Sequence, residues 1–88
     1  NLATELATQD EPIRNKVDHI FAQLQTNIGQ VLQASVQAGE LSNIDIDATS
    51  QAMLAYMEGV MLLAKTQNDP TRLRDLLPAM AQIRVPNR

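Results

Sequence analysis

Residues 52–64 read AMLAYMEGVMLLA, and this stretch decides how the chain folds. When it is wound as a helix of about 100° per residue, apolar side chains occupy almost the whole circumference. One side carries Ala52, Ala55, Tyr56, Gly59, Leu62 and Leu63, and the other sides carry Met53, Met57, Val60, Met61 and Ala64. The polar residues Gln51, Glu58 and Lys65 form only a narrow wedge. A helix that is apolar nearly all round is buried on several sides, and 88 residues offer too little protein to surround it. We therefore expect a second copy of the chain to supply the missing cover.

A long amphipathic helix precedes this stretch. Between residues 11 and 38 the apolar side chains recur mostly at spacings of three and four, which predicts one apolar stripe on one face. Pro12 suits the first turn, where its missing donor would be unpaired anyway. Gly39 suits the left-handed position that commonly ends a helix. Residues 40–46 then form a loop, and the apolar residues expected beneath it are Leu41, Ile44 and Ile46.

The chain is expected to close with a pair of helices. Asp47 is predicted to cap a helix over residues 48–67. The Asp69-Pro70 dipeptide predicts the start of a helix over residues 70–84, which Pro78 should bend because its ring clashes with a carbonyl in the preceding turn. Residues 85–88 are expected to fray.

The first residues also follow helical spacing. A short helix is predicted over residues 2–8, and we expect the chain to begin inside a longer helix from which an upstream part has been removed. The elements together predict an all-α fold. It is an antiparallel helical array with a long helix and a C-terminal pair.

Composition limits the classes of function. The length allows one small domain, residues 1–88, and a domain of this size benefits from a partner. There is no cysteine, so thiol chemistry and disulfides are excluded. The net charge is −3, so the chain lacks the excess of basic residues expected of a surface that binds nucleic acid. No apolar run is predicted to span a membrane, because Glu58 interrupts the best candidate, and no signal peptide is predicted from these residues.

Few residues point to site chemistry. His19, the only histidine, is predicted to lie opposite the apolar stripe as a solvated side chain. Glu58 is interpreted as part of the polar wedge, with binding of a cationic effector as the alternative. The row of Met53, Met57 and Met61 is read first as core and second as an adaptable binding wall. No catalytic residue, metal site or cofactor is predicted.

The order of segments resembles a known family. NLATELATQDEPIR opens the chain, QAGEL (residues 37–41) ends the long helix, and LAYMEGVMLLAKTQNDPTRLRDLL (residues 54–77) follows. This ordered set, which spans nearly the whole chain, resembles the C-terminal half of TetR/AcrR-type bacterial transcriptional regulators.

The resemblance implies a fold and a function. Such a domain dimerises through its last two long helices, matched here by residues 48–67 and 70–84, which form a four-helix bundle with the partner's pair. It also holds a small-molecule pocket beside the helix matched by residues 11–38. Ligand binding changes the spacing of N-terminal helix-turn-helix domains, which are absent from this chain. The resemblance therefore implies a cytoplasmic homodimer that binds an unknown small-molecule effector. It also implies that the protein binds DNA only through the missing N-terminal domain and does not contact a membrane.

Specific residues follow from this hypothesis. The predicted dimer surface consists of Ala52, Ala55, Tyr56, Gly59, Leu63, Leu73, Leu77 and Met80. The predicted ligand contacts are Phe21, Leu24, Met53 and Met57. The alternative is a stand-alone helical module in which the last two helices grip an unrelated helix, without a small-molecule effector. A helical-bundle enzyme is disfavoured because no polar residues converge.

Overall fold

The computed structural model describes residues 11–88, which are helical without any strand. Helix α1 spans Glu11–Gln37, α2 spans Ile46–Thr66 and α3 spans Thr71–Leu76, and a 3-10 helix follows over Leu77–Gln82. The all-α expectation is confirmed, while the predicted helix over residues 2–8 lies outside the described residues. The dimeric bundle is a property of an assembly and stays a prediction.

Helix α1 ends as its sequence predicts. Gly39 has a φ of +78°, the left-handed conformation that glycine adopts without steric penalty. The amide of Gly39 donates to the carbonyl of Val36 (3.0 Å) and that of Glu40 donates to Ser35 (2.9 Å). This pair of hydrogen bonds satisfies two carbonyls that the end of a helix would leave unpaired.

The start of α2 corrects the sequence prediction by two residues. Asp45, not Asp47, is the cap: its backbone is extended and its Oδ1 accepts a hydrogen bond from the amide of Ala48 at 3.0 Å. Asp47 instead lies in the first turn, where its Oδ1 accepts from Gln25 Nε2 of α1 at 3.0 Å. Both acids have side chains that can cap the N-terminus of a helix. In the fold Asp47 pairs with α1, and Asp45 caps the start of α2.

The C-terminal helix differs from the prediction of one helix over residues 70–84. The α-helical part ends at Leu76, and a 3-10 helix replaces it from Leu77 to Gln82. Pro78 has no amide hydrogen to donate to the carbonyl four residues earlier, so the α-helical ladder cannot continue through it. The predicted bend is therefore a change of helix type.

The C-terminal tail is held rather than frayed, so that prediction is wrong. Asp45 N donates to Val85 O (2.8 Å) and Asn87 N donates to Asn43 O (3.2 Å). Thr49, fully buried, accepts from Val85 N through its Oγ1 (3.1 Å), which also donates to Val85 O (3.3 Å). These bonds tie the tail to the loop that precedes α2.

The core lies where the second half of α1, the loop and α2 meet. Leu32, Ile44 and Met53 are buried together. Partly buried apolar side chains pack around them: Ile28, Val36, Leu41, Ile46, Met80 and Ile83. The expectation that the loop's apolar residues lie beneath it is confirmed, since Ile44 is buried and Leu41 and Ile46 are half-buried.

Candidate functional site

Helix α2 carries an exposed, largely apolar outward face in the described part of the chain. Ala55 and Gly59 are exposed, and a Cβ atom placed on Gly59 would meet no other part of residues 11–88 within 4 Å. Beside them Met61, Leu62 and Leu63 are 49%, 37% and 46% exposed. Small residues next to exposed large ones form a surface that another helix can approach closely. We call Ala55, Gly59, Met61, Leu62 and Leu63 the outward α2 face.

The opposite side of α2 is buried against other parts of the same chain. Met53, Val60 and Ala64 are buried there, together with Thr49 and Ser50. Within residues 11–88 the elements that follow α2 leave its outward face uncovered, because α3 and the 3-10 helix are short and pack along one side of α2. The expectation that a second copy covers residues 52–64 stays a prediction.

A groove of about 890 Å³ runs along the second half of α2 and the start of α3. Its apolar lining includes Met61 and Leu62 of α2 and Leu73 of α3. Glu58 and Lys65 stand on the same groove. We call it the α2–α3 groove, and it continues the outward α2 face because Met61 and Leu62 belong to both.

Asp69 fixes the entry to α3 at the end of this groove. Its Oδ1 accepts hydrogen bonds from the hydroxyl and the amide of Thr71, and Arg72 Nε lies 3.7 Å from its Oδ2. The hydrogen bond from the Thr71 hydroxyl is the largest effect, and it lowers the pKa of Asp69 below its ordinary value. Desolvation opposes this shift, whereas the Thr71 amide and the charge of Arg72 lower the pKa further. Asp69 is therefore a structural carboxylate whose charge is already paired.

A second groove, of about 660 Å³, separates the second half of α1 from the 3-10 helix. We call it the α1 groove. Its walls are apolar: Ile28, Val31 and Leu32 of α1, Leu41, Met53 of α2, and Leu77, Pro78, Met80 and Ala81. Three polar side chains, those of Ser35, Glu40 and Arg84, complete its lining. Volume and lining both lie in the range of small-molecule sites, although this groove is open to solvent rather than enclosed.

Two kinds of site are not found in the described part of the chain. No group of three or more His, Cys, Asp or Glu residues there could hold a metal ion. No helix of residues 11–88 is long and apolar enough to cross a membrane.

Comparison with known proteins identifies the family. A family model described as "Tetracyclin repressor-like, C-terminal domain" matches residues 1–80, most of the chain. The chain belongs to this TetR C-terminal family. No curated protein and no solved structure matched it. The resemblance drawn from the ordered motifs is thereby confirmed at the level of the family.

The residues predicted for the dimer surface of this TetR-type domain fall into two groups. Ala55, Gly59 and Leu63 lie exposed on the outward α2 face, and Ala52 is half-buried near them. The remaining four are half-buried: Tyr56, Leu73, Leu77 and Met80. The hydroxyl of Tyr56 donates to the carbonyl of Leu76 (2.7 Å), so this side chain already joins α2 to α3 within one chain. Leu77 and Met80 line the α1 groove, while Leu73 lines the α2–α3 groove.

Neither of the two grooves described above brings together the four residues predicted for ligand contact. Met53 is buried in the core and lines the α1 groove. Phe21 and Leu24, on the first half of α1, and Met57 of α2 are half-buried and lie outside the lining of that groove. Of the four, Met53 alone lines the α1 groove, and the ligand contacts stay a prediction.

Sequence reasoning left some surface residues out of the predicted sites. Leu62 could have been included, because the helical projection places it on the same side as Gly59. Arg84 and Glu40 had no such signal. They lie far apart in the chain and line the same groove only in the folded structure.

Proposed function

We propose that this chain is the dimerisation and effector-sensing domain of a TetR-type bacterial transcriptional regulator. The observation that carries the proposal is the outward α2 face, exposed and apolar in a chain of this family. The proposed role is regulatory rather than catalytic. DNA binding belongs to an N-terminal helix-turn-helix domain that lies outside this chain, and the intact protein acts as a repressor in the cytoplasm.

Dimerisation is supported by the character of the exposed surface. Scattered exposed apolar residues are ordinary in soluble proteins, whereas a contiguous apolar patch marks an interaction site. A two-fold axis needs a self-complementary surface, and small residues such as Ala55 and Gly59 give bulky neighbours such as Leu63 a place to pack. The proposed contact centres on these residues and on Leu73, and extends to Ala52, Tyr56, Leu77 and Met80.

A matched pair of arginine variants tests this contact. Gly59→Arg places a cation on the outward α2 face, where it has room in a single chain but would be buried without a partner charge in the dimer. Ala34→Arg adds the same side chain at an exposed position of α1. In sedimentation equilibrium we expect the natural chain and Ala34→Arg to be dimers and Gly59→Arg to be a folded monomer.

Two outcomes would contradict the proposed dimer. A Gly59→Arg variant that still dimerises would place the contact elsewhere. A natural chain that stays monomeric at all concentrations would remove self-association and favour the stand-alone module that grips an unrelated helix.

Effector sensing is supported by the α1 groove. Its apolar walls and few polar side chains suit a small, largely apolar molecule. Met53 connects the groove to the core, and Phe21, Leu24 and Met57 are further contacts if the effector extends along α1. A bound molecule would bridge α1 and the 3-10 helix, and it would change the domain by favouring one placement of these elements over another.

A pair of exposed residues allows the groove to be tested without disturbing the core. Val31 lines the α1 groove and is 66% exposed, whereas Ile20 is 51% exposed and lies outside the groove. With the fluorescent apolar probe N-phenyl-1-naphthylamine, we expect Val31→Glu to weaken binding at least fivefold and Ile20→Glu to leave it unchanged. Equal binding by both variants and the natural chain would show that the groove is not the site.

A further inference from the structure

Two opposite charges stand on the α2–α3 groove, and the described part of the chain offers neither of them an ion-pair partner. Glu58 and Lys65 are seven residues apart, which is close to two turns, so they project from the same side of α2 at an axial distance of about 10.5 Å. Within residues 11–88 neither side chain forms an ion pair. Neither makes a side-chain hydrogen bond with that part of the chain either. The other acid of the groove, Asp69, is already paired with Thr71 and Arg72.

The exposed apolar side chains of α2 lie between these two charges. Met61, Leu62 and Leu63 are the large apolar residues that α2 leaves exposed, and their centre is Leu62. The midpoint between Glu58 and Lys65 falls between Met61 and Leu62. The apolar patch and the charge pair therefore share one centre, although each is a separate observation.

A second copy of α2 can meet this surface in two directions. If the helices ran parallel in register, Glu58 would face the same acid of the other copy, and the lysines would also face each other. If the helices run antiparallel about the shared centre, each glutamate faces a lysine, and this happens twice because a two-fold contact repeats every pair. Like charges directly opposed at an interface are disfavoured, so the charge pattern selects the antiparallel direction.

We propose that a two-fold axis crosses α2 between Met61 and Leu62, with Glu58 of each copy against Lys65 of the partner subunit. This register rests on the proposed dimerisation and adds the direction, the centre and the polar contacts that fix it. The leucines and Met61 supply the buried area. The two ion pairs lie at the edge of the contact and disfavour other registers, because a shift by one helical turn would separate each charge from its partner.

Charge reversal tests the register. Glu58→Lys and Lys65→Glu each replace two attractive contacts with two repulsive ones, so we expect the dimer Kd to rise roughly ten- to hundredfold. The double variant restores both pairs in the opposite sense, and its Kd should return to within about threefold of the natural value. Asp18→Lys and Lys16→Glu change the net charge equally on α1 and should leave the Kd unchanged.

Mixing the two single variants gives a second, independent readout. In a mixed dimer one chain carries lysine at both positions and the other carries glutamate at both, so each contact is again attractive. We expect this heterodimer to form in preference to either homodimer and to elute between them in ion exchange. Melting followed by circular dichroism confirms that each variant folds. If Glu58→Lys does not fold, Glu58→Gln should still weaken the dimer severalfold. The Kd of Lys65→Glu can still be compared with that of the natural chain.

The outcomes separate the register from the dimer itself. If the natural chain dimerises and neither single reversal changes its Kd, the register is wrong while dimerisation stands. If both singles weaken the dimer but the double variant is not rescued, the two residues do not face each other and the register is equally refuted. If the natural chain is a monomer, the proposed dimerisation fails and the register fails with it.

Discussion

Replacing Thr49 by valine should loosen the C-terminal tail. Valine keeps the shape of threonine but lacks the hydroxyl, which accepts from Val85 N at 3.1 Å and donates to Val85 O at 3.3 Å. The Val85 carbonyl retains its bond from Asp45 N (2.8 Å), so the loss falls mainly on the amide. Two modest hydrogen bonds contribute about 0.5–1.5 kcal/mol each, and an unpaired amide in a partly buried position adds to the loss. We expect the free energy of unfolding to fall by about 2 kcal/mol, which lowers the Tm of a domain of this size by roughly 10 °C.

Urea unfolding followed by circular dichroism measures this change, at one protein concentration because self-association would shift the midpoint. Thr26→Val is the matched control, since Thr26 is an exposed residue of α1 and surface substitutions usually change stability by less than about 0.5 kcal/mol. Trypsin should also cleave after Arg84 faster in Thr49→Val than in the control. A loss below about 0.5 kcal/mol with unchanged cleavage would show that the hydroxyl does not hold the tail.

Three further variants test local features by urea unfolding. Gly29→Ala should raise the free energy of unfolding by about 0.5–1 kcal/mol, because alanine favours a helix and the nearest atom to its Cβ, on Ile46, would lie 3.9 Å away. Destabilisation would mean that Ile46 leaves no room for the added methyl group. Tyr56→Phe should lower it by about 1 kcal/mol through loss of the bond to the Leu76 carbonyl, and no change would show that α3 is held without that bond. The pKa of Asp69 is lowered chiefly by the Thr71 hydroxyl, so its contribution is present above the ordinary carboxyl pKa and is lost as the pH falls through the lowered value. Asp69→Asn should therefore lose stability near neutral pH and converge with the natural chain in acid, and a constant difference would contradict the pairing.

The local features of the helices were open to prediction because their determinants are short-range. The end of α1 depends on Gly39, whose φ is +78°, and glycine is the residue that such a position prefers. The break within the C-terminal helix depends on Pro78 and its missing amide hydrogen. Only the form of the break, a 3-10 helix in place of a kink, was missed.

The boundary of α2 shows where local reasoning reached its limit. Asp45 and Asp47 are equally able to cap a helix. In the fold the Asp45 carboxylate accepts from the Ala48 amide, and the Asp45 amide donates to Val85 O of the tail. The Asp47 carboxylate accepts from Gln25 of α1 and from Gln51. Contacts with distant parts of the chain therefore distinguish two acids that look alike in the sequence.

The chain's own order of residues determined that this is an all-helical domain of the TetR C-terminal family, and that its second long helix is apolar on nearly every side. It did not determine which side of that helix faces inward, because both sides are apolar and periodicity alone does not distinguish them. The tertiary structure decided this by placing Leu32 and Ile44 against Met53, which leaves Gly59 and Leu63 outward. It also decided the fate of the tail, since Thr49 and Val85 meet only after the chain has folded back on itself. Helical periodicity depends on residues that are close together in the sequence. The choice of the packed face depends on contacts between distant residues, which only the complete fold brings together.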